Sequence, residues 1–239
     1  MTQDLHATRR YYDTFSERYE AHRHAGYHRW LDTRTVALLR PHVEGRRVLE
    51  VGCGTGLRVR EVATDAKDAV GLDLSQGMLG LAASRGLRVL QGSATALPFE
   101  DHTFDLVYSF KVLAHVPDLE GALREMARVT RPGGRLVLEF YNRDSLRHVI
   151  RRVRPAGTVG HQTTEDDVYT RFHGLDELRS LLPPELMIER THGLRVVTLV
   201  PQAFAVPMLG DWVARLEDAL SASPLHRLAG FLVLSLLRR

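Results

Sequence analysis

The nine residues Val48-Leu49-Glu50-Val51-Gly52-Cys53-Gly54-Thr55-Gly56 constrain this chain more than any other stretch. Val48, Leu49 and Val51 suit a strand covered on both faces, and the run passes straight into a glycine turn and a helix from about Leu57. Three glycines at alternating positions let the backbone turn tightly and let a ligand approach the main chain with no Cβ in the way. The N–H groups that open the following helix then face whatever lies over the loop. The pattern predicts a nucleotide-type cofactor site; the plainer alternative is a tight strand-to-helix turn with no ligand.

Detail narrows the cofactor. A dinucleotide fingerprint wants glycine at its first, third and sixth positions, but the sixth position counted from Gly52 is Leu57. No Gly-Lys-Ser/Thr follows, so the phosphate-loop pattern is absent. Glu50, just upstream, would repel a pyrophosphate and suits a cationic ligand. The nine-residue run closely resembles the first motif of class I S-adenosylmethionine-dependent methyltransferases. The resemblance implies that Glu50, Gly52, Cys53, Gly54 and Gly56 hold the methionine end of that cofactor, whose ammonium and sulfonium are positive.

Strand and helix signals alternate from residue 47 to residue 140. Strands are expected at 48–51, 69–74, 88–91, 104–109 and 135–140, with helices at 57–64, 75–85 and 119–129, and a turn at Arg131-Pro-Gly-Gly134. This rhythm predicts an α/β fold with a doubly wound, mostly parallel sheet. Ahead of it, aromatic spacing suggests helices over 5–23 and 28–41, the second stopped by Pro41. Behind it come an arginine-rich stretch at 147–154, a helix at 175–182 and a sixth strand at 186–191. Gly230 to Leu237 is apolar but too short to span a bilayer, and reads as a buried strand. In the resembled fold the seventh strand lies antiparallel between the fifth and sixth, a place that suits 230–237. Residues 193–226 are then a long insertion, either a cap over a pocket or an amphipathic cover for a sheet edge.

The chain reads as one domain: a helical cover at 1–44, a cofactor-binding core at 45–140 and a substrate-side half at 141–239. With 32 basic and 29 acidic residues the balance demands no polyanionic partner. Cys53 is the single cysteine, which excludes an internal disulfide and a cysteine metal cluster; no other metal-ligand spacing appears. The polar start, Met1 to Arg10, lacks a signal-peptide core, so a cytoplasmic location is expected, with no membrane partner. Monomer and homodimer both stay open.

Asp73 lies 21 residues beyond Gly52, at the end of the second strand, where a carboxylate can accept both hydroxyls of a ribose. The alternative role, N-cap of the next helix, could fall to Ser75 instead. The resemblance adds Leu74 and Met78 beside the adenine, and Ser93 and Ala94 in the segment Gln91–Phe99 that lines it. Ser93 stands where relatives often carry Asp, and is shorter and uncharged. Phe110 and His115 follow the fourth strand and should lie near the sulfonium. His115 is the candidate to orient or deprotonate the nucleophile; its plainer role is to cap a turn. In small-molecule relatives a tyrosine of a Tyr-acid pair on an N-terminal helix approaches the methyl group. Tyr19-Glu20 matches, and Tyr12-Asp13 is the rival match.

The nearest patterns are the methyltransferases of quinone biosynthesis and natural-product tailoring. The expected activity is methyl transfer from S-adenosylmethionine to an O, N or C atom of a small molecule, with S-adenosylhomocysteine as product. Nucleic acid is not expected as a partner. Two alternatives stand: an RNA methyltransferase of the tRNA-modifying kind, and a cofactor-binding protein of this fold that transfers no methyl. The arginines 143, 147, 151, 152 and 154 could meet an anion or form a solvated helix face.

Overall fold

A computed structural model describes residues 5–16, 19–20, 26–146, 148, 169–198, 209–221 and 223–239. Helices α1 (Leu5–Phe15) and α2 (Gly26–Leu39) precede the sheet, and a 3-10 turn at Arg40–His42 carries Pro41. The first helix thus stops short of the expected residue 23. Then come β1 (Arg47–Val51), α3 (Leu57–Ala63), β2 (Asp68–Asp73), α4 (Gln76–Ser84), β3 (Arg88–Gln91) and β4 (Phe104–Ser109). A 3-10 turn at Leu113–His115 leads to α5 (Leu119–Val129) and β5 (Thr130–Tyr141). The back third holds α6 (Leu175–Leu181), β6 (Leu186–Leu194), α7 (Leu209–Ser221), a 3-10 turn at Pro224–Leu228 and β7 (Phe231–Arg238).

The seven strands are ordered β3-β2-β1-β4-β5-β7-β6. Strands β1 to β5 pair in parallel, whereas β7 runs antiparallel to both β5 and β6, in the place expected of Gly230 to Leu237. Connection order reverses between β1 and β4, which opens a crevice beyond their carboxyl ends. The expected turn at Arg131–Gly134 is a bulge inside β5: pairing jumps from Phe104 with Thr130 to Leu106 with Arg135, and Gly133 takes φ +76°.

Alternation within the apolar strands gives the sheet two dry faces. Leu49, Val107, Leu136 and Leu234 face α5, against Leu123 and Met126. Val48, Leu106, Tyr108, Val137 and Val233 face the other way, against Leu31 and Leu39 of α2 and Val62 of α3. Glu50 and Glu139 occupy this second face near its carboxyl edge, and both are buried. Of the insertion, α7 is tied to the end of β6 by Glu217; Val200 to Met208 lie outside the described residues, as do arginines 147, 151, 152 and 154. Among the described residues no helix is long and apolar enough to cross a membrane.

Candidate cofactor and methyl-acceptor site

The loop after β1 is built by left-handed backbone at Gly52 (φ +79°), Gly54 (φ +54°) and Gly56 (φ +77°). A Cβ on Gly52 would stand 2.1 Å from Val112 Cγ2, so the loop packs there against the chain that follows β4. Gly54 has nothing within 4 Å of where its Cβ would be, leaving that side of the loop open to a ligand. Gly54 N donates to Asp73 Oδ2 at 2.8 Å, and Ser75 N donates to Oδ1 at 2.9 Å. Asp73 therefore fixes the loop to the end of β2, and each oxygen retains acceptor capacity for a hydroxyl. Burial raises its pKa, while the Ser75 and Gly54 bonds pull the other way. Ser75 is the N-cap of α4, its Oγ accepting from Met78 N at 3.2 Å, so Asp73 is spared that duty.

Helix α1 docks beside this acid. Asp13 Oδ1 accepts from Ser75 Oγ at 2.6 Å and from Gly77 N at 3.0 Å. Those bonds, the Gly77 one foremost, hold the Asp13 carboxyl below its ordinary pKa. Tyr12 is close enough to Asp73 for that charge to add to the effect of burial, which pushes the phenol well up. Glu20 pairs with Arg85 Nη2 at 2.8 Å, and Arg85 also donates to the Thr55 carbonyl of the glycine loop. Of the two Tyr-acid pairs, Tyr12-Asp13 thus flanks Asp73. Tyr19-Glu20 lies over the loop, with Tyr19 near enough to Arg58 to act on its charge.

Beneath the loop, Glu50 Oε2 accepts from the Tyr108 hydroxyl at 3.2 Å, and Oε1 stands 3.6 Å from Arg58 Nη1 with no hydrogen-bond donor. Burial pushes Glu50 up to about 7, against the pull of Arg58. Arg58 also reaches Thr35 Oγ1 and Asp32 Oδ1, each at 3.3 Å, and lies 5.3 Å over the Phe110 ring. Glu139 Oε1 accepts from Lys111 N at 3.1 Å, and its buried Oε2 has no donor. Two buried carboxylates thus lie behind the loop, Glu50 facing Arg58 and Glu139 held by the Lys111 N–H, and they make its surroundings acidic. The acidic donor set, the open side of Gly54 and the position of Asp73 fit the methionine end and ribose of S-adenosylmethionine. Phe110 itself is packed in the core below this network.

Ser93 Oγ is engaged locally, 2.8 Å from Thr95 Oγ1 and accepting from Thr95 N at 3.2 Å. Ala94 and Met78 are buried, and the Leu74 carbonyl accepts from Gln91 Nε2 at 3.0 Å. His115 ends the turn after β4. Its Nδ1 is 2.8 Å from the Tyr169 carbonyl and 3.2 Å from Thr170 Oγ1. A hydrogen on Nδ1 satisfies that carbonyl and leaves Nε2 as an acceptor in the neutral ring. Burial lowers the His115 pKa, with the Tyr169 bond opposing.

Sequence reasoning passed over Arg58, Glu139 and the docking role of Asp13. Glu139 carried a signal, a lone acid in the apolar run Leu136-Val-Leu-Glu-Phe140, the same signature that exposed Glu50. Arg58 lies one residue past the motif and carried none. Among the described residues no group of His, Cys, Asp and Glu is placed to hold a metal.

The profile of the methyltransferase domain family matches residues 49–138. Demethylmenaquinone methyltransferase from Mycolicibacterium gilvum is 47% identical over 92 residues, 38% of this chain and 40% of that protein. The chain's match therefore spans well under half the length of such curated relatives. A Thermotoga maritima S-adenosylmethionine-dependent methyltransferase, described as a possible histamine N-methyltransferase, shares the fold at TM-score 0.66 and 22% identity, covering 95% of this chain and 98% of that one. Magnesium protoporphyrin IX methyltransferase from Synechocystis, with S-adenosylhomocysteine bound, does so at TM-score 0.60 and 17% identity, covering 89% and 84%. Residues 49–138 thus match the methyltransferase domain family, on a fold shared with S-adenosylmethionine-dependent methyltransferases.

Proposed function

We propose that the chain transfers a methyl group from S-adenosylmethionine to an O, N or C atom of a small, quinone-like or secondary-metabolite acceptor. The observation that carries this is Asp73, at the carboxyl end of β2, held against a glycine loop whose Gly54 side is open. The matched family and the curated quinone methyltransferases support it.

The cofactor supplies a methyl carbon on a positively charged sulfur, already a good leaving group. The chain's residues do the positioning. Asp73 receives the ribose hydroxyls, with Leu74, Met78, Ser93 and Ala94 beside the adenine. Glu50, with Glu139 near it, balances the positive amino-acid end. Tyr12 and Tyr19 cover the crevice from the N-terminal side and keep water out. Alignment of acceptor and methyl in such a closed site can lower the barrier by ~7–11 kcal/mol. His115 Nε2 takes the proton of a hydroxyl, amine or acidic carbon as the acceptor's electron pair moves to the methyl.

The near-equal count of 32 basic and 29 acidic residues disfavours an RNA acceptor. Of the described arginines here, Arg143 meets Glu177 at 3.1 Å and Asp144 at 3.9 Å, and Arg171 meets Glu177 at 3.0 Å. Incubating the chain with S-adenosylmethionine and a panel of phenols, hydroquinones and amines, and measuring S-adenosylhomocysteine release, tests the reading. Acceptor-dependent release supports it. Release only with RNA, or none despite cofactor binding, replaces it with one of the two alternatives.

A further inference from the structure

The chain that precedes the sheet holds α4 at both ends. Gly77 and Leu81 lie four residues apart on one face of α4, and Arg85, its C-cap, continues that row. At the first end Asp13 Oδ1 accepts from Gly77 N at 3.0 Å; at the other Glu20 Oε2 accepts from Arg85 Nη2 at 2.8 Å. Between these anchors the Phe15 ring centroid lies 5.8 Å from that of Tyr11 and 5.7 Å from that of Tyr19. Tyr19 N also donates to the Ser16 carbonyl at 3.3 Å. Residues 11–16 and 19–20 thus form a strap along α4, tied at each end by an acid.

Arg85 does more than end that strap. Its Nη1 donates to the Thr55 carbonyl of the glycine loop. The peptide between Thr55 and Gly56 is therefore held on both sides, because Gly56 N donates to the Cys53 carbonyl at 3.0 Å. Gly56 is left-handed at φ +77°, and a Cβ on it would stand 2.4 Å from Leu87 Cδ1, just past α4. A residue flanked by glycines turns its peptides at little steric cost, so a charged donor on the carbonyl decides their orientation. The guanidinium is a rigid plane, and a carboxylate that fixes one nitrogen fixes the other. Both side chains of the pair are about three-quarters shielded from water, at 23% and 26% exposure, which strengthens their attraction.

We propose that Arg85 is a positioning residue for the glycine loop and that Glu20 acts on the loop through it. Seating of the strap and shaping of the loop are then one event. With Glu20 in place, Arg85 is aimed at the Thr55 carbonyl and the loop is formed before a ligand arrives. With Glu20 away, the guanidinium swings free and the Thr55–Gly56 peptide turns. The consequence for cofactor affinity rests on the methyl-transfer reading; the coupling itself does not.

Amide exchange of the full chain without ligand, followed residue by residue by nuclear magnetic resonance, tests this. Glu20→Gln alters no atom of the loop or of Arg85, yet it should speed exchange at Gly56 by about tenfold. Arg85→Gln should speed it at least as much, and the double variant no further than Arg85→Gln alone. Exchange at Leu49 and Val107 should stay at the parent rate in all three. An Arg85 that merely ended α4 would leave Glu20→Gln indistinguishable from the parent. Calorimetry should show S-adenosylhomocysteine bound about tenfold more weakly by Glu20→Gln. The proposal is overturned if Gly56 exchanges at the parent rate in Glu20→Gln, if the two substitutions add in full, or if Glu20→Gln binds the ligand as the parent does. Should Arg85→Gln fail to fold, exchange in Glu20→Gln alone decides. A parent chain that binds no S-adenosylhomocysteine would instead strike the methyl-transfer reading, and exchange without ligand still decides the coupling.

Discussion

Arg58 Nη1 stands 3.6 Å from Glu50 Oε1, and both side chains are closed to water, at 7% and 0% exposure. The pair joins the end of β1 to the first turn of α3 on either side of the glycine loop. Burial raises Glu50 from 4.5 to about 7. A folded pKa above the unfolded one contributes stability that is full below about pH 4.5 and lost as pH rises through about 7. The loss amounts to about 3 kcal/mol at most. Urea unfolding at pH 5 and pH 8 should show this slope in the parent chain and a flatter one in Glu50→Gln. Equal slopes would mean that Arg58 keeps Glu50 ionised throughout.

Gly77 is where α1 touches α4. A Cβ there would stand 2.7 Å from Ser16 Oγ and 2.9 Å from the Asp13 carbonyl oxygen, and the backbone of α1 cannot yield without lifting. Gly77→Ala should therefore undock α1 while leaving α4 intact or better formed, since alanine favours helix by about 1 kcal/mol. The expected readout is faster tryptic cleavage at Arg9 and Arg10 and S-adenosylhomocysteine binding weakened by about tenfold or more. Acid should act on the same contact. The Asp13 carboxyl is held below its ordinary value, so docking is full above that value and fades as pH falls through the lowered one.

Glu217 accepts from Val196 N at 2.8 Å, Val197 N at 2.9 Å, Thr198 N at 2.6 Å and Thr198 Oγ1 at 2.5 Å. One buried carboxylate thus ties α7 to the chain leaving β6. Glu217→Ala should cost about 3 kcal/mol, because each donor loses a charged acceptor in a dry place. Hydrogen exchange should accelerate at residues 196–198 and across α7, with β1 and β4 unaffected. Unchanged exchange there would refute the tether.

His115 can be dissected by isosteres. Asparagine keeps a donor near the Nδ1 position, while glutamine reaches toward Nε2. With the imidazole pKa lowered from 6.5 by burial, kcat/KM should fall only below pH 6.5. Both His115→Asn and His115→Gln should lose about 10²–10⁴ in rate with hydroxyl acceptors and abolish that acid limb, with cofactor binding retained. Full rate in His115→Asn would reduce the residue to holding the Tyr169 carbonyl.

The core of the fold was legible because its signals are local. The apolar run of β1 ends at Gly52 and that of β2 at Asp73, and Ser75 caps the helix that follows. The seventh strand was placed by its apolar run and the resembled topology. What sequence could not give was pairing across distance. Asp13 and Gly77 are 64 positions apart, Arg58 and Asp32 26, and Glu217 and Val196 21. No periodicity marks such partners. The reach of β5 back to Thr130 was hidden for a different reason: Pro132-Gly133-Gly134 has turn chemistry, and only the pairing of Phe104 with Thr130 carries the strand past it.

The proposed methyl transfer requires that S-adenosylmethionine bind beside Asp73 and the glycine loop. Titration calorimetry of the full chain with S-adenosylhomocysteine tests that most directly. Saturable binding of one ligand per chain, weakened by about tenfold or more in Asp73→Ala, is the predicted result. No heat of binding from a folded parent chain, or equal affinity in Asp73→Ala, would contradict it.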